Sequence, residues 1–273
     1  RGAGKRADIG LPDPVADQCY FLDGWDQVHH HADLDLSSYR CVVIADCPTL
    51  DRIGPVQDGL VAGVRILNVD HHRGNDHFGE LNVIGELSST CELVYHLVIG
   101  LGYEIDAAMA AQLYTGIIFD TGGFRFSLTQ PSTFEVAADL VRKGVRLDYL
   151  ADHVFGNKSL NSVKQRGLAI KSLELHLNDR VAVLHLDLNG MRAGDPEEVA
   201  NYGLMVKGVE VAVLLKEYKP GRYRVSLRSR DTVDVSKIAG VFDGGGHARA
   251  SGLRLEGSAE QILSLIHISE PTR

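Results

Sequence analysis

Two short runs of apolar residues, at 41–45 and 63–69, constrain the fold of the first half of the chain. Runs of this length that are rich in valine and isoleucine are typical of buried strands. A helical pattern follows at 90–99, and Ser89 and Glu92 have the spacing of a capping box at its start. Strands that alternate with helices predict a parallel sheet with helices on both faces, which is an α/β architecture.

The second half of the chain predicts a smaller α/β domain. Its strand patterns lie at 180–187, 209–217 and 222–228. Helices are predicted near 197–205 and 235–241, and a turn with a further helix, capped by Ser258, near 256–265.

Acidic and imidazole side chains follow several of these apolar segments. Asp70, His71 and His72 end the run at 63–69, and Asp46 ends the run at 41–45. Asp120 follows a further apolar segment. The carboxyl edge of a parallel sheet is where α/β proteins place their chemistry. The bland alternative is that these acids cap helices and that the histidines lie in a turn.

These residue types suit a divalent metal. Carboxylate oxygens bind Mg²⁺ and Mn²⁺, and an imidazole shifts the preference toward Mn²⁺. Two such ions about 3.5 to 4 Å apart can hold a phosphate, activate a water molecule and stabilise the leaving oxygen. The pattern therefore predicts phosphoester hydrolysis.

The ordered motifs resemble the DHH/DHHA1 phosphoesterase family. They are Asp46, then 70–72 (Asp-His-His), then 120–122 (Asp-Thr-Gly), and far downstream the glycine-rich run at 244–252. The resemblance extends from about Gly4 to about Leu265. Within the family, the compact two-domain layout is most similar to the bifunctional oligoribonuclease and pAp phosphatase branch.

The resemblance implies a role for each residue of the first motifs. Asp46 would bridge two Mn²⁺ (or Mg²⁺) ions, and His71 and Asp120 would be ligands of one of them. His72 would meet the substrate phosphate. We interpret Asp70 as the acceptor that fixes the ring of His71, because a ligating imidazole usually donates its other N–H group.

The resemblance also implies a substrate-binding site in the second domain. Gly244, Gly245 and Gly246 would form a phosphate cradle, since glycines let backbone N–H groups approach an anion. His247, Arg228 and Arg249 would add positive charge.

The family's opening motif, a strand that ends in a His-x-x-x-Asp-x-Asp pattern, has no counterpart in the printed sequence. We expect an N-terminal truncation, a metal position that lacks most of its ligands, and impaired activity. The expected division is a DHH domain at 1–156, a helical linker at 157–179, a DHHA1 domain at 180–268 and a non-native tail at 269–273.

The net charge of −8 argues against long duplex nucleic acid as a partner, because Lys and Arg contacts supply most of that affinity. We expect short RNA oligonucleotides or a nucleoside bisphosphate as substrate, no membrane partner and a cytoplasmic location, with a homodimer left open. Two alternatives remain. One is a cyclic- or linear-dinucleotide phosphodiesterase of the same family, and the other is a module that binds nucleotides without hydrolysing them.

Overall fold

The computed structural model describes residues 4–193, 199–258 and 261–262. Its internal contacts divide the chain into two units, residues 1–157 and 158–273. The segment 157–179, expected to be a helical linker, contains a helix and then a strand that joins the sheet of the second unit. No helix in the described part of the chain has the length and apolarity to span a bilayer.

The first unit contains parallel strands, as predicted. Two of them pair with each other, and three form a separate sheet in the order β3-β4-β5. Their bounds are β1 Ile9–Leu11, β2 Val28–His30, β3 Cys41–Ala45, β4 Arg65–Asp70 and β5 Leu81–Ile84. Strand β4 starts two residues later than predicted, because Gly63 takes a left-handed turn with φ of 83°. Strands β1, β2 and β5 were not predicted.

Four helices complete the first unit. They are α1 Thr90–Gly100, α2 Ala107–Asp120, α3 Pro131–Arg142 and α4 Leu147–Phe155. The buried apolar cluster of this unit lies mainly among α2, α3 and α4, with Ile117 and Leu140 fully buried. Helix α1 packs on β4 and on α2. The helices therefore pack more on one another than on the sheet, where helices on both faces were predicted.

The predicted capping box of α1 is only half formed. The Oγ atom of Ser89 accepts a hydrogen bond of 3.0 Å from the backbone N–H of Glu92, as predicted. The buried carboxylate of Glu92 instead accepts from the backbone N–H of Ser88 at 3.1 Å and from Oγ1 of Thr133 at 2.9 Å. Glu92 thus joins the starts of α1 and α3.

The second unit is built on one mixed sheet of six strands in the order β10-β11-β9-β8-β7-β6. Only β7 and β8 run parallel to each other among these neighbours. The strands are β6 Glu174–His176, β7 Val181–Leu186, β8 Val211–Lys219, β9 Arg222–Ser229, β10 Gly245–His247 and β11 Ala250–Glu256. The helices are α5 Leu160–Lys171, α6 Ala200–Leu204 and α7 Val235–Gly240.

Some predictions for this unit concern residues that the structure describes only in part. Ser258 caps the next turn as predicted, since its Oγ accepts from the N–H of Gln261 at 3.2 Å. The start of the helix predicted at 197–205, the rest of the helix predicted at 256–265 and the expected tail at 269–273 lie outside the described residues.

Replacing Glu92 by alanine should destabilise the first unit. The change leaves Ser88 and Thr133 without their buried acceptor, which costs about 2 to 4 kcal/mol of unfolding free energy. Urea denaturation measures the loss, with Glu135→Ala on the exposed side of α3 as the matched control. Equal unfolding free energies for the two variants would contradict the anchoring role of Glu92.

Candidate metal centre

Asp46 follows the last residue of β3 and turns its carboxylate sharply away from the strand. Its φ of 62° lies in the left-handed region, which Asp tolerates better than most residues. The backbone N–H of Asp46 donates to the carbonyl oxygen of Val69 at 3.0 Å. Oδ1 of Asp46 accepts from Oγ1 of Thr90, at the start of α1, at 2.7 Å. These contacts fix the direction of a side chain that remains 54% exposed.

Asp70, the last residue of β4, is completely buried and holds His72. The Nδ1 atom of His72 lies 2.6 Å from Oδ1 of Asp70, and Nδ2 of Asn75 donates to Oδ2 of Asp70 at 2.7 Å. Burial alone would raise the pKa of Asp70, but the hydrogen bonds from His72 and Asn75 outweigh it and keep the pKa below its ordinary value. Asp70 is therefore a carboxylate that orients His72.

This pairing corrects the role predicted for Asp70. The ring of His71 is held by a different group, because its Nδ1 lies 3.2 Å from the carbonyl oxygen of Leu87. Since a carbonyl only accepts, Nδ1 carries a proton, and in the neutral ring the lone pair is on Nε2.

The lone pair of His71 faces two carboxylates. Nε2 of His71 lies 3.6 Å from Oδ1 of Asp46 and 3.8 Å from Oδ2 of Asp120. Possible ligand atoms of Asp46, His71 and His72 also lie within 4.8 Å of one another. The structure therefore brings together the three predicted ligands and adds His72 to them.

The donor set fits a divalent cation. Three acceptors that face the same space repel one another unless a cation or a proton lies between them. Burial and the carboxylate of Asp46 raise the pKa of Asp120 to about 6, whereas His71 and His72 lower it. Two carboxylates and two imidazoles are a set suited to Mn²⁺ and its neighbours.

Sequence reasoning missed several residues that support this cluster. Nδ2 of Asn75 donates to Oδ1 of Asn68 at 2.8 Å, and Nδ2 of Asn68 donates to the carbonyl oxygen of Cys47 at 3.1 Å. Asn68 and Asp70 are two residues apart on β4 and hence share a face. That spacing was a usable signal for Asn68. Leu87 and Thr90 carried no comparable signal.

In the second unit, the structure places two of the predicted phosphate-binding residues on one sheet face. Arg228, Ala250 and His247 lie directly opposite one another across β9, β11 and β10. Residues in such a row share a face of the sheet. Arg249 is placed differently, because its Nη1 donates to the carbonyl oxygen of Val233 at 2.8 Å.

The glycine run is an edge strand rather than the predicted cradle of backbone N–H groups. The N–H of Gly244 donates to the carbonyl oxygen of Ala239, and residues 245–247 pair with β11. A Cβ atom on Gly244 or Gly246 would lie 2.5 or 2.6 Å from a carbonyl oxygen of β11. These two glycines are needed because β10 packs closely on its neighbour.

Two carboxylates and two imidazoles, gathered beside the carboxyl ends of parallel strands, define an α/β protein with a candidate metal centre. Residues 178–269 match the DHHA1 domain. The match shows that the chain contains a DHHA1 domain, and the ordered motifs and the relatives below are similar to the DHH/DHHA1 phosphoesterases.

Two relatives are bifunctional oligoribonuclease and PAP phosphatase NrnA proteins. The one from Thermus thermophilus is 32% identical over 214 residues, which are 77% of this chain and 65% of that protein. The one from Bacillus subtilis is 26% identical over 266 residues, which are 94% of this chain and 81% of that protein. The chain thus spans slightly less than two thirds of the Thermus protein.

A solved structure shares the fold. It is an exopolyphosphatase-related protein from Bacteroides fragilis, with a TM-score of 0.92 at 24% sequence identity. The match covers 98% of this chain and 83% of that one.

Asp46→Asn should weaken Mn²⁺ binding by at least about tenfold, because it removes a charged ligand that faces His71 and Asp120. Isothermal titration calorimetry measures the affinity. Asp51→Asn, an exposed acid in the turn after β3, is the matched control and should bind Mn²⁺ like the unaltered chain. Equal affinities for the two variants would show that Asp46 is not a ligand.

Asp120→Asn should stabilise the metal-free protein at pH 8. The pKa of Asp120 is raised to about 6 in the folded state. The folded protein therefore loses stability as the pH rises from the pKa of this group in the unfolded chain to about 6. The variant removes this cost, which is about 1 to 2 kcal/mol once solvent screening is allowed for.

Urea unfolding with a chelator, at pH 8 and at pH 4, tests this dependence. The gain should be present at pH 8 and small at pH 4. Asp148→Asn is the control, because the hydrogen bond from Arg146 lowers the pKa of that exposed acid and its replacement should not stabilise. A gain of equal size at both pH values would contradict the raised pKa of Asp120.

Proposed function

We propose that this chain is a metal-dependent phosphoesterase. Its substrates are short oligoribonucleotides, which it hydrolyses to mononucleotides, and 3′-phosphoadenosine 5′-phosphate, which it converts to AMP. The observation that carries the proposal is the convergence of Nε2 of His71 on the carboxylates of Asp46 and Asp120, 3.6 and 3.8 Å away. The names of the two NrnA relatives support this choice of substrates.

In this proposal, Asp46, His71 and Asp120 hold Mn²⁺ or Mg²⁺ as part of a two-ion site. Bound ions would supply positive charge at the reacting phosphate and lower the pKa of a water nucleophile. Asp46 is held by Thr90 at 2.7 Å and His71 by Leu87 at 3.2 Å. These two ligands are thus oriented by the fold itself, which reduces the reorganisation needed on binding.

Asp70 is proposed as a positioning residue for His72. Its buried carboxylate holds Nδ1 of His72 at 2.6 Å, and Asn75 holds the other carboxylate oxygen. The second ring nitrogen of His72 is then directed toward the reacting phosphate. Asp70→Asn should therefore lower kcat more than it changes KM, because the ring loses its orientation at the reacting group.

The second unit is proposed to bind a substrate phosphate. Arg228 and His247 lie in one cross-strand row, with the small side chain of Ala250 between them. Charged and hydrogen-bonding groups placed in this way suit a phosphate. The net charge of −8 limits binding beyond such local cations and so favours short substrates.

With Mn²⁺, and with a segment carrying the family's opening motif joined to its N-terminus, the chain should hydrolyse RNA of about two to five nucleotides faster than strands of about twenty, and it should leave duplex DNA intact. Gel analysis of labelled strands at equal concentration measures the rates. Asp46→Asn should abolish the release of mononucleotides, while the matched variant Asp51→Asn retains it.

Two results would contradict this proposal in different ways. Rates that rise steadily with strand length would favour a processive exonuclease. Binding of Mn²⁺ and of RNA without release of mononucleotides would favour a module that binds nucleotides without hydrolysing them.

A further inference from the structure

Three cationic residues lie directly opposite one another in the sheet of the second unit. Lys216 of β8 pairs with Arg224 of β9, and Arg224 pairs with Arg254 of β11. Side chains in such a row point to the same face and stand about 5 Å apart at their Cα atoms. The structure therefore gathers three positive charges on one face of the sheet, in a set that we call the cationic row.

The three like charges of the cationic row repel one another. Like charges directly opposite each other in a sheet are destabilising. Lys216 is moreover only 2% exposed, and burial disfavours an ammonium group. The face of the aromatic ring of Tyr218, 5.3 Å from the guanidinium of Arg224, offsets part of the cost for that residue.

All three side chains of the cationic row line one open cavity of about 700 Å³. The same cavity is also lined by Ser226, Gly252 and Asp243. Three cations and a serine hydroxyl outweigh the one carboxylate of Asp243, so the cavity favours an anion. A phosphate group accepts hydrogen bonds from guanidinium, ammonium and hydroxyl donors alike.

The cationic row lies on the same sheet face as Arg228 and His247. Arg224 and Arg228 are four residues apart on β9, which in a strand places them on one face at a separation of about 13 Å. The row between them consists of Leu214, Ser226, Gly252 and Gly245. A Cβ atom on Gly245 would meet nothing within 4 Å, so the space above this row is open. The face thus has cations at both ends, and between them the residues on β9, β11 and β10 are small.

We propose that the cationic row Lys216–Arg224–Arg254 is a second phosphate subsite, which binds a phosphate of a short oligonucleotide about 13 Å from the phosphate held at Arg228 and His247. This inference rests on the proposed function and extends it. Oligonucleotides with several phosphates bind at both ends of the face, whereas a mononucleotide binds only at the end with Arg228. The two ends together set the preferred length of the substrate.

Calorimetric titration of the full chain with AMP and with 5′-phosphorylated triadenylate tests the subsite, in a chelating buffer that prevents hydrolysis. Arg224→Gln and Arg254→Gln should each weaken binding of the trinucleotide roughly 5- to 10-fold and leave binding of AMP within about twofold. Each should also lower the slope of log K against log salt by about 0.7. Arg228→Gln should weaken both ligands.

The matched control is Arg180→Gln, an exposed arginine of the same unit that pairs with Glu210 at 2.7 Å. It should bind both ligands like the unaltered chain. Thermal melting checks that the variants fold, and Arg254→Gln should keep or raise the Tm because it removes a like charge from the row. A fall in Tm with unchanged binding would assign the row to structure and overturn the subsite.

The remaining outcomes separate this inference from the proposed function. If Arg224→Gln and Arg254→Gln bind the trinucleotide like Arg180→Gln while Arg228→Gln weakens it, the subsite is overturned and the proposed function stands. If both variants bind AMP and the trinucleotide more weakly by the same factor, the row is part of the phosphate site at Arg228 and His247, and the second subsite is overturned. Absence of binding by the unaltered chain overturns the proposed function together with the subsite.

Discussion

The hydrogen bond between Nδ1 of His71 and the carbonyl oxygen of Leu87 determines the chemistry of the first unit. It places the proton on one ring nitrogen and so directs the lone pair of the other toward Asp46 and Asp120. Three acceptors then converge from the ends of two strands and a helix, and burial together with the repulsion between the carboxylates of Asp46 and Asp120 raises the pKa of Asp120. A bound cation removes that repulsion, which is why this geometry is a candidate metal centre.

Buried polar groups that hydrogen-bond to one another hold this arrangement in place. Asp70 and Asn68 are both fully buried on one face of β4, and Asn75 connects them with bonds of 2.7 and 2.8 Å. Such a network is costly if any member is left unpaired, and it therefore specifies a single geometry. The left-handed backbone of Asp46 is a second constraint of this kind. The two supports act on His72 and on Asp46, one on each of the adjacent strand ends.

Strands β3, β4, β7, β8 and β9, the helix starts and the residues of the metal cluster were predictable because each depends on local sequence. Apolar runs predicted β3 and β4, and the acids that follow them predicted the cluster. Strand β5 was missed because four residues with an asparagine among them give a weak pattern. The partner of Asp70 was assigned wrongly, although residues two apart in extended backbone lie on one side, which favours His72 over His71. Leu87 and the cationic row depend on pairing between distant segments, and no local pattern reveals such pairing.

The central claim is that Asp46, His71 and Asp120 hold a divalent cation, with His72 beside it. The most direct measurement is a crystal structure of the chain grown with Mn²⁺, with diffraction data collected on both sides of the manganese absorption edge. The claim predicts an anomalous peak within coordination distance, about 2 to 2.3 Å, of Nε2 of His71 and of carboxylate oxygens of Asp46 and Asp120. Well-ordered side chains at these positions without an anomalous peak among them, or a peak held by other residues, would contradict it.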